Sequence, residues 1–173
     1  LFIATDSLEI ADVASGFWAK VVMTGMQPSG LFRCAEASGE LGLGDDDDVI
    51  NVQGDEPELP VDSVGIIVND PLRYVRTLAT RIHDSRDEHN PSVVKVLIDD
   101  AGNATHFSRR RIPRDINKPA YQHIGVYAYP AKLLRVAVSR QLTWEQEHRE
   151  TLEQMRFLHL GIPIEVELVP SAH

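Results

Sequence analysis

Asn51-Val52-Gln53-Gly54-Asp55-Glu56-Pro57 is the stretch on which the reading of this chain turns. Val49, Ile50 and Val52 lead into it with the β-branched, apolar composition of a buried strand. The run breaks at Gly54, and Asp55, Glu56 and Pro57 follow at once. A glycine after a strand lets the backbone turn sharply and lets a ligand approach. An acidic residue at the carboxyl end of a parallel strand stands where open α/β sheets bind their ligands. Asp55 suits Mg2+, a hard cation that takes oxygen donors and often uses few carboxylates beside substrate phosphates. The bland alternative is a capped turn in which Asp55 accepts backbone N–H bonds.

Strands and helices alternate on both sides of this stretch. Residues 1–5 read as a strand, and Asp6 or Ser7 can cap a following helix, with Glu9 at capping-box spacing from Asp6. Ile10, Val13, Ala14 and Phe17 recur at helical spacing, and residues 20–24 read as a second strand. A helix over 29–41 and a loop over 42–48 then lead to the strand at 49–53. Downstream, the pattern predicts a helix over 61–69, a strand over 73–82 and a turn at Asn90-Pro91. A hairpin follows, with arms at 93–98 and 104–108. Beyond a basic loop come a strand over 124–129, a helix over 131–139 and a longer helix opening at Thr143 or Trp144. Gly161 is placed to stop that helix before a last strand at 164–169. This order predicts an α/β fold in a single domain over 1–173: a mostly parallel sheet flanked by helices, with an antiparallel hairpin insertion.

Composition narrows the classes. The chain has 173 residues, enough for one sizeable core, and 43% of them are hydrophobic. Its net charge of -9 argues against nucleic-acid binding, which needs basic surface. A small anionic substrate met by a few arginines remains open. The single cysteine, Cys34, cannot form an intrachain disulfide and favours a reduced, cytoplasmic compartment. No apolar run approaches the roughly 18 residues of a membrane span. A strand begins at residue 1 without an initiator methionine, and the sequence stops just past another strand, so the expectation is a chain cut at both ends from something longer.

Several constellations compete for chemistry. Arg109, Arg110, Arg111 and Arg114 follow Ser108 at a strand end, and arginine matches carboxylate and phosphate bidentately. Surface solvation or a dimer contact is the alternative. Glu147, Glu150, Glu153 and Gln154 repeat at spacings that would share a helix face, either as solvated surface or as a wall reading sugar hydroxyls. The run from Asp45 to Asp48 lacks calcium-loop spacing and reads as a solvated loop. Cys34 reads as a core residue, since no Cys/His arrangement supports a thiol nucleophile or zinc site.

Taken together, these blocks resemble the CMP-Kdo synthetases, the 3-deoxy-manno-octulosonate cytidylyltransferases. Asn51 to Pro57 is similar to that family's signature. In order after it, Asn90-Pro91-Ser92-Val93-Val94-Lys95-Val96 resembles N-P-x-x-V-K-V, and Phe107-Ser108-Arg109 with Ile112-Pro113 resembles F-S-R-x-x-I-P. His123-Ile124-Gly125-Val126-Tyr127-Ala128-Tyr129 resembles H-[IL]-G-x-Y-x-Y, and the stretch from Glu147 to Arg156 resembles E-x-x-E-x-L-E-Q-[LM]-R. The opening Ile3-Ala4-Thr5-Asp6 resembles the family's [VI]-A-T-D.

The resemblance implies a nucleotidyltransferase fold and a homodimer built through the hairpin region. It implies transfer of CMP from CTP to Kdo with Mg2+, giving CMP-Kdo and pyrophosphate for lipopolysaccharide biosynthesis. It makes Asp55 the catalytic metal ligand and lines the sugar pocket with Gln53, Arg109, His123, Tyr127, Glu147 and Gln154. Arg109 would face the Kdo carboxylate, and Glu147 and Gln154 its hydroxyls. Ser29, Arg33 and Gly54 would lie on the nucleotide side. There the family's H-x-S-G-T-[DE]-R reads Gln27-Pro28-Ser29-Gly30-Leu31-Phe32-Arg33. The family's phosphate loop, R-x-x-S-x-R-L-P-G-K, and its G-[VI]-D-T-x-x-D-L metal motif have no counterpart in the sequence, which implies slow or absent turnover. Other acidic sugars, 8-amino-Kdo or sialic acid, are alternatives, as is a non-catalytic remnant that binds sugar or dimerises.

Overall fold

A computed structural model of the chain describes residues 1–54, 59, 61–68, 72–112, 119–143 and 152–170. Strands β1 (Phe2–Thr5) and β2 (Lys20–Met23) pair in parallel, Phe2 opposite Lys20 and Thr5 opposite Met23. A parallel pair needs a crossover, and helix α1 (Leu8–Ser15) supplies it. Of the two candidate caps, Ser7 does the work: its Oγ accepts from the Ile10 N–H at 3.3 Å. The helical spacing of Ile10, Val13 and Ala14 holds, but only Ala14 is buried, and Phe17 lies past the helix end. A two-stranded sheet offers too little surface to cover a wider apolar stripe.

Helix α2 (Gly30–Glu40) carries the chain to β3 (Asp48–Val52) and packs against β1, β2 and β3. The main sheet also holds β4 (Val75–Arg81), β5 (Lys95–Ile98), β6 (Ala104–Ser108), β7 (Tyr121–Pro130) and β8 (Ile164–Leu168). Its order is β6-β5-β7-β4-β8, with β3 also on β7. The α/β fold with flanking helices and an antiparallel hairpin is as expected. The expected mostly parallel sheet is corrected to a mixed one: β4 and β8 pair in parallel, while β7 runs antiparallel to β3, β4 and β5. So β3, β4, β5 and β8 share one direction, yet most ladders are antiparallel because the reversed strand lies between them.

β7 is buried from His123 to Pro130, as a central strand covered on both faces must be. Period-2 alternation divides its side chains. Tyr127 and Tyr129 join Leu31, Leu134 and Phe157 in one core, under α2, α4 (Ala131–Ser139) and α5 (Met155–His159). Ile124, Val126 and Ala128 join Ile67, Leu78 and Val169 in the other, under α3 (Val61–Ile67).

The long helix expected from Thr143 is corrected in its described part. Thr143 is not helical, and Leu152, Glu153 and Gln154 form a tight turn before α5. The N–H groups of Met155, Arg156 and Phe157 reach back three residues, to Leu152, Glu153 and Gln154. That winding is tighter than an α-helix, so apolar spacing alone could not mark where the helix starts. Gly161 ends it as expected, at φ 70°, where a side chain would be strained. No described helix is long and apolar enough to cross a membrane.

Candidate active site

β3 delivers Gln53 to the end of the main sheet beside the start of α2. Gln53 Nε2 donates to Glu153 Oε1 at 3.0 Å, and the Leu31 N–H donates to Glu153 Oε2 at 2.8 Å. One carboxylate therefore satisfies an orphan N–H of α2, sits at the positive end of that helix, and fixes Gln53. A Cβ on Gly30 would lie 3.5 Å from Glu153 Oε2 and 3.7 Å from Asn51 Nδ2, so this junction is close-packed. Within it Ser29 Oγ is buried without a hydrogen-bond partner. Gln154, next to Glu153, is buried at 3% exposure.

From this junction a run of aromatic rings crosses the sheet. Phe157 stacks on Tyr129 at 5.6 Å, Tyr129 on Tyr127 at 5.6 Å, and Tyr127 lies 5.4 Å from His123. Phe107 meets His123 edge-on at 5.1 Å. Burial, reinforced by the charge of Glu153, pushes the Tyr129 hydroxyl well above its ordinary pKa. The same two causes push the Cys34 thiol up to about 12, so Cys34 is an inert core thiol as its sequence context suggested.

Burial has the opposite effect on His123, whose pKa falls to about 3, leaving a neutral ring at pH 7. Its tautomer follows from Thr77. The Thr77 hydroxyl donates to the Val126 carbonyl at 2.7 Å, so its oxygen accepts from His123 Nε2–H at 3.0 Å. Nδ1 is then the acceptor of the ring.

Arg109 follows β6 and is exposed; its carbonyl accepts from Lys95 Nζ at 2.6 Å, and its Nη1 donates to Pro91 O at 3.3 Å. Arg33 lies on the other side of the junction. Its Nη2 is 3.0 Å from Asp6 Oδ1, and its Nη1 donates to Thr24 Oγ1 at 2.5 Å, at the carboxyl ends of β1 and β2. Glu36 orders the loop between β2 and α2, accepting from Gly25 N at 2.9 Å and Gln27 Nε2 at 2.6 Å. Gly54 is exposed, its φ is not positive, and a Cβ there would meet no described atom within 4 Å. Among the described residues nothing crowds it, and it serves no left-handed turn.

The structure thus joins Gln53 to Glu153, with Gln154 next to it in the chain, and brings His123 beside Tyr127, which reaches this junction through Tyr129. Ser29 belongs to the same junction, whereas Arg33 faces β1 and β2. Asp55, Arg114, Glu147 and Glu150 lie outside the described residues. Glu153 entered the sequence reading only as one member of an acidic helix face, not as the residue that ties this junction together. Its acidic spacing was visible, but its partners stand 100 and 122 residues away in the chain. Among the described residues no group of three or more His, Cys, Asp or Glu is placed to hold a metal.

Known proteins resemble this chain in sequence and in fold. The enzyme named 3-deoxy-manno-octulosonate cytidylyltransferase from Hahella chejuensis is 40% identical over 192 residues, covering 99% of this chain and 74% of its own length. Its namesake from Cellvibrio japonicus is 41% identical, over 91% of this chain and 69% of its own. A solved structure of CMP:2-keto-3-deoxy-manno-octonic acid synthetase complexed with CTP superposes with a TM-score of 0.85 at 31% identity, covering 98% of this chain and 72% of that one. The sequence profile described as cytidylyltransferase matches residues 1–164, and the chain belongs to that family of nucleotidyltransferases.

Proposed function

We propose that this protein transfers CMP from CTP to 3-deoxy-manno-octulosonate. The anomeric hydroxyl oxygen bonds to the α-phosphorus of CTP as the bond to the β-phosphate oxygen breaks; pyrophosphate leaves and the hydroxyl proton is released. The observation that carries this reading is the junction of Gln53, Glu153 and the start of α2, which supports a nucleotide side at α2 and a sugar side along β7. On the sugar side, His123 Nδ1 accepts a hydroxyl, Tyr127 and Gln154 line the pocket, and Arg109 pairs with the carboxylate. Glu147, assigned by its place in the motif, takes further hydroxyls. On the nucleotide side Ser29 Oγ, a buried polar atom without a partner, fits a ligand group, with Arg33 and Gly54 beside it.

Mg2+ suits an oxygen-rich site of this kind, where it would neutralise phosphate charge. Glu153 already spends both oxygens on N–H donors, so within this chain the cation would rest on Asp55 and on phosphate oxygens. The further reading is a cytoplasmic homodimer whose product serves lipopolysaccharide biosynthesis.

Two assays test the proposal together: calorimetric titration of the chain with Kdo and with CTP, and pyrophosphate release with CTP, Mg2+ and either Kdo, 8-amino-Kdo or sialic acid. The expected result is Kdo binding, with any pyrophosphate release strongest for Kdo. Sialic acid outcompeting Kdo, or a chain that neither binds Kdo nor releases pyrophosphate in its presence, overturns it.

A further inference from the structure

Lys95 is 1% exposed, although it carries an ammonium group. Nζ donates to three backbone carbonyls: Asn90 O at 2.9 Å, Val93 O at 2.6 Å and Arg109 O at 2.6 Å. An ammonium has three N–H donors, and here each has an acceptor. Burying a charge is costly even when it is fully hydrogen-bonded. Nothing in the hairpin calls for that cost, since β5 pairs through its backbone and an apolar side chain would serve the strand register equally well.

What the ammonium joins is informative. Two of its acceptors belong to the loop before β5, and the third is the carbonyl of Arg109, fourteen residues further along. The side chain of Arg109 returns to the same loop, donating from Nη1 to Pro91 O. Val94, next to Lys95, accepts from the backbone N–H of His123 at 2.8 Å. One short loop therefore holds both Arg109 and His123, and Lys95 is the clamp that fixes the loop to the first of them.

We propose that Lys95 is a positioning residue for recognition of a carboxylated sugar: it sets where Arg109 stands relative to His123, so that guanidinium and imidazole meet carboxylate and hydroxyl at a fixed spacing. This rests on the sugar reading of the site given above. Lysine suits the task because its tetrahedral donors can diverge to three carbonyls. A planar guanidinium cannot reproduce that set.

The test uses the whole chain, with Kdo and CTP as probes, and the variants Lys95→Met, Arg109→Ala and the pair combined. Wild-type titration with Kdo decides the sugar reading by itself; absence of Kdo binding overturns that reading and removes Lys95 from a sugar pocket. Given wild-type binding, Lys95→Met is expected to weaken Kdo at least tenfold while CTP affinity changes less than twofold. The combined variant is expected to bind Kdo no worse than Arg109→Ala alone, because the clamp acts through Arg109. Amide exchange at His123 is expected to quicken about tenfold in Lys95→Met, with β4 unchanged. Unaltered Kdo binding, equal losses for Kdo and CTP, or additive losses in the combined variant each overturn the proposal. If Lys95→Met does not fold, Lys95→Gln, which keeps two donors, is judged by the same criteria.

Discussion

His123 shows how one side chain ties chemistry to stability. In the unfolded chain it titrates near the ordinary 6.5, and in the folded protein near 3, because burial disfavours the charged ring. Between those values the unfolded state binds more protons, so stability rises with pH across that window. The neutral ring's contribution is complete above about pH 6.5 and is lost progressively as the pH falls toward 3, at roughly 1.4 kcal/mol per pH unit at most. Thermal melts of wild type and His123→Gln at pH 7 and pH 4.5 read this directly. The wild type should lose more stability on acidification than the variant; equal losses would show that His123 is protonated in the fold. The neutral ring also bears on the proposed sugar pocket: with Nε2–H given to Thr77, the ring would offer a substrate an acceptor, and under that proposal cationic recognition of an acid falls to Arg109.

At the scale of elements, Arg156 carries more than its position suggests. It is buried at 8% exposure, and its guanidinium donates to the Ala137 and Arg140 carbonyls at the end of α4. The same group lies 5.1 Å from the Phe32 ring on α2. A cation at a helix carboxyl end meets both the unpaired carbonyls and the negative end of the helix dipole. Arg156→Ala should cost about 2–3 kcal/mol, since it leaves the buried Ala137 carbonyl unpaired and removes the bond to Arg140; an unfolding free energy within about 0.5 kcal/mol of wild type (a surface-like effect) would contradict this. The strands at β1, β2, β3 and β8 and the hairpin were legible because β-branched runs bounded by turn residues depend on local sequence. The turn after β5 was equally local: Asp99 Oδ1 accepts from the N–H groups of Ala101 and Asn103. The start of α5 was not legible, because a tight turn and an α-helix share the same apolar spacing. Nor was the role of Glu153, whose partners come from elements joined only by the fold. Gln53, His123 and Tyr127 could be singled out as candidates through ordered motifs, while the linkage of Arg109 to Lys95 needed three dimensions.

The molecule as a whole divides into unequal parts. The β1–β2 pair hydrogen-bonds as a sheet of its own, and α2 is the element that packs on both it and β3. Two-stranded sheets are marginal alone, and this one carries the exposed Leu8, Val13 and Phe17 nearby. The main sheet has two packed cores around β7. Amides of β1 and β2 should therefore exchange at least tenfold faster than those of β4 and β7, through an opening that leaves the main sheet intact. Native-state hydrogen exchange checks this, and uniform protection across all strands would refute it. The row of rings from Phe107 to Phe157 has a consequence of another kind. Tyr127 and Tyr129 lie 12° from parallel at 5.6 Å, and the row spans the hairpin, the central strand and the last helix. Such close, fixed tyrosines couple their electronic transitions, so the protein carries its own dichroic signal in the near ultraviolet; under the proposed sugar pocket, substrate docking would alter it without any label.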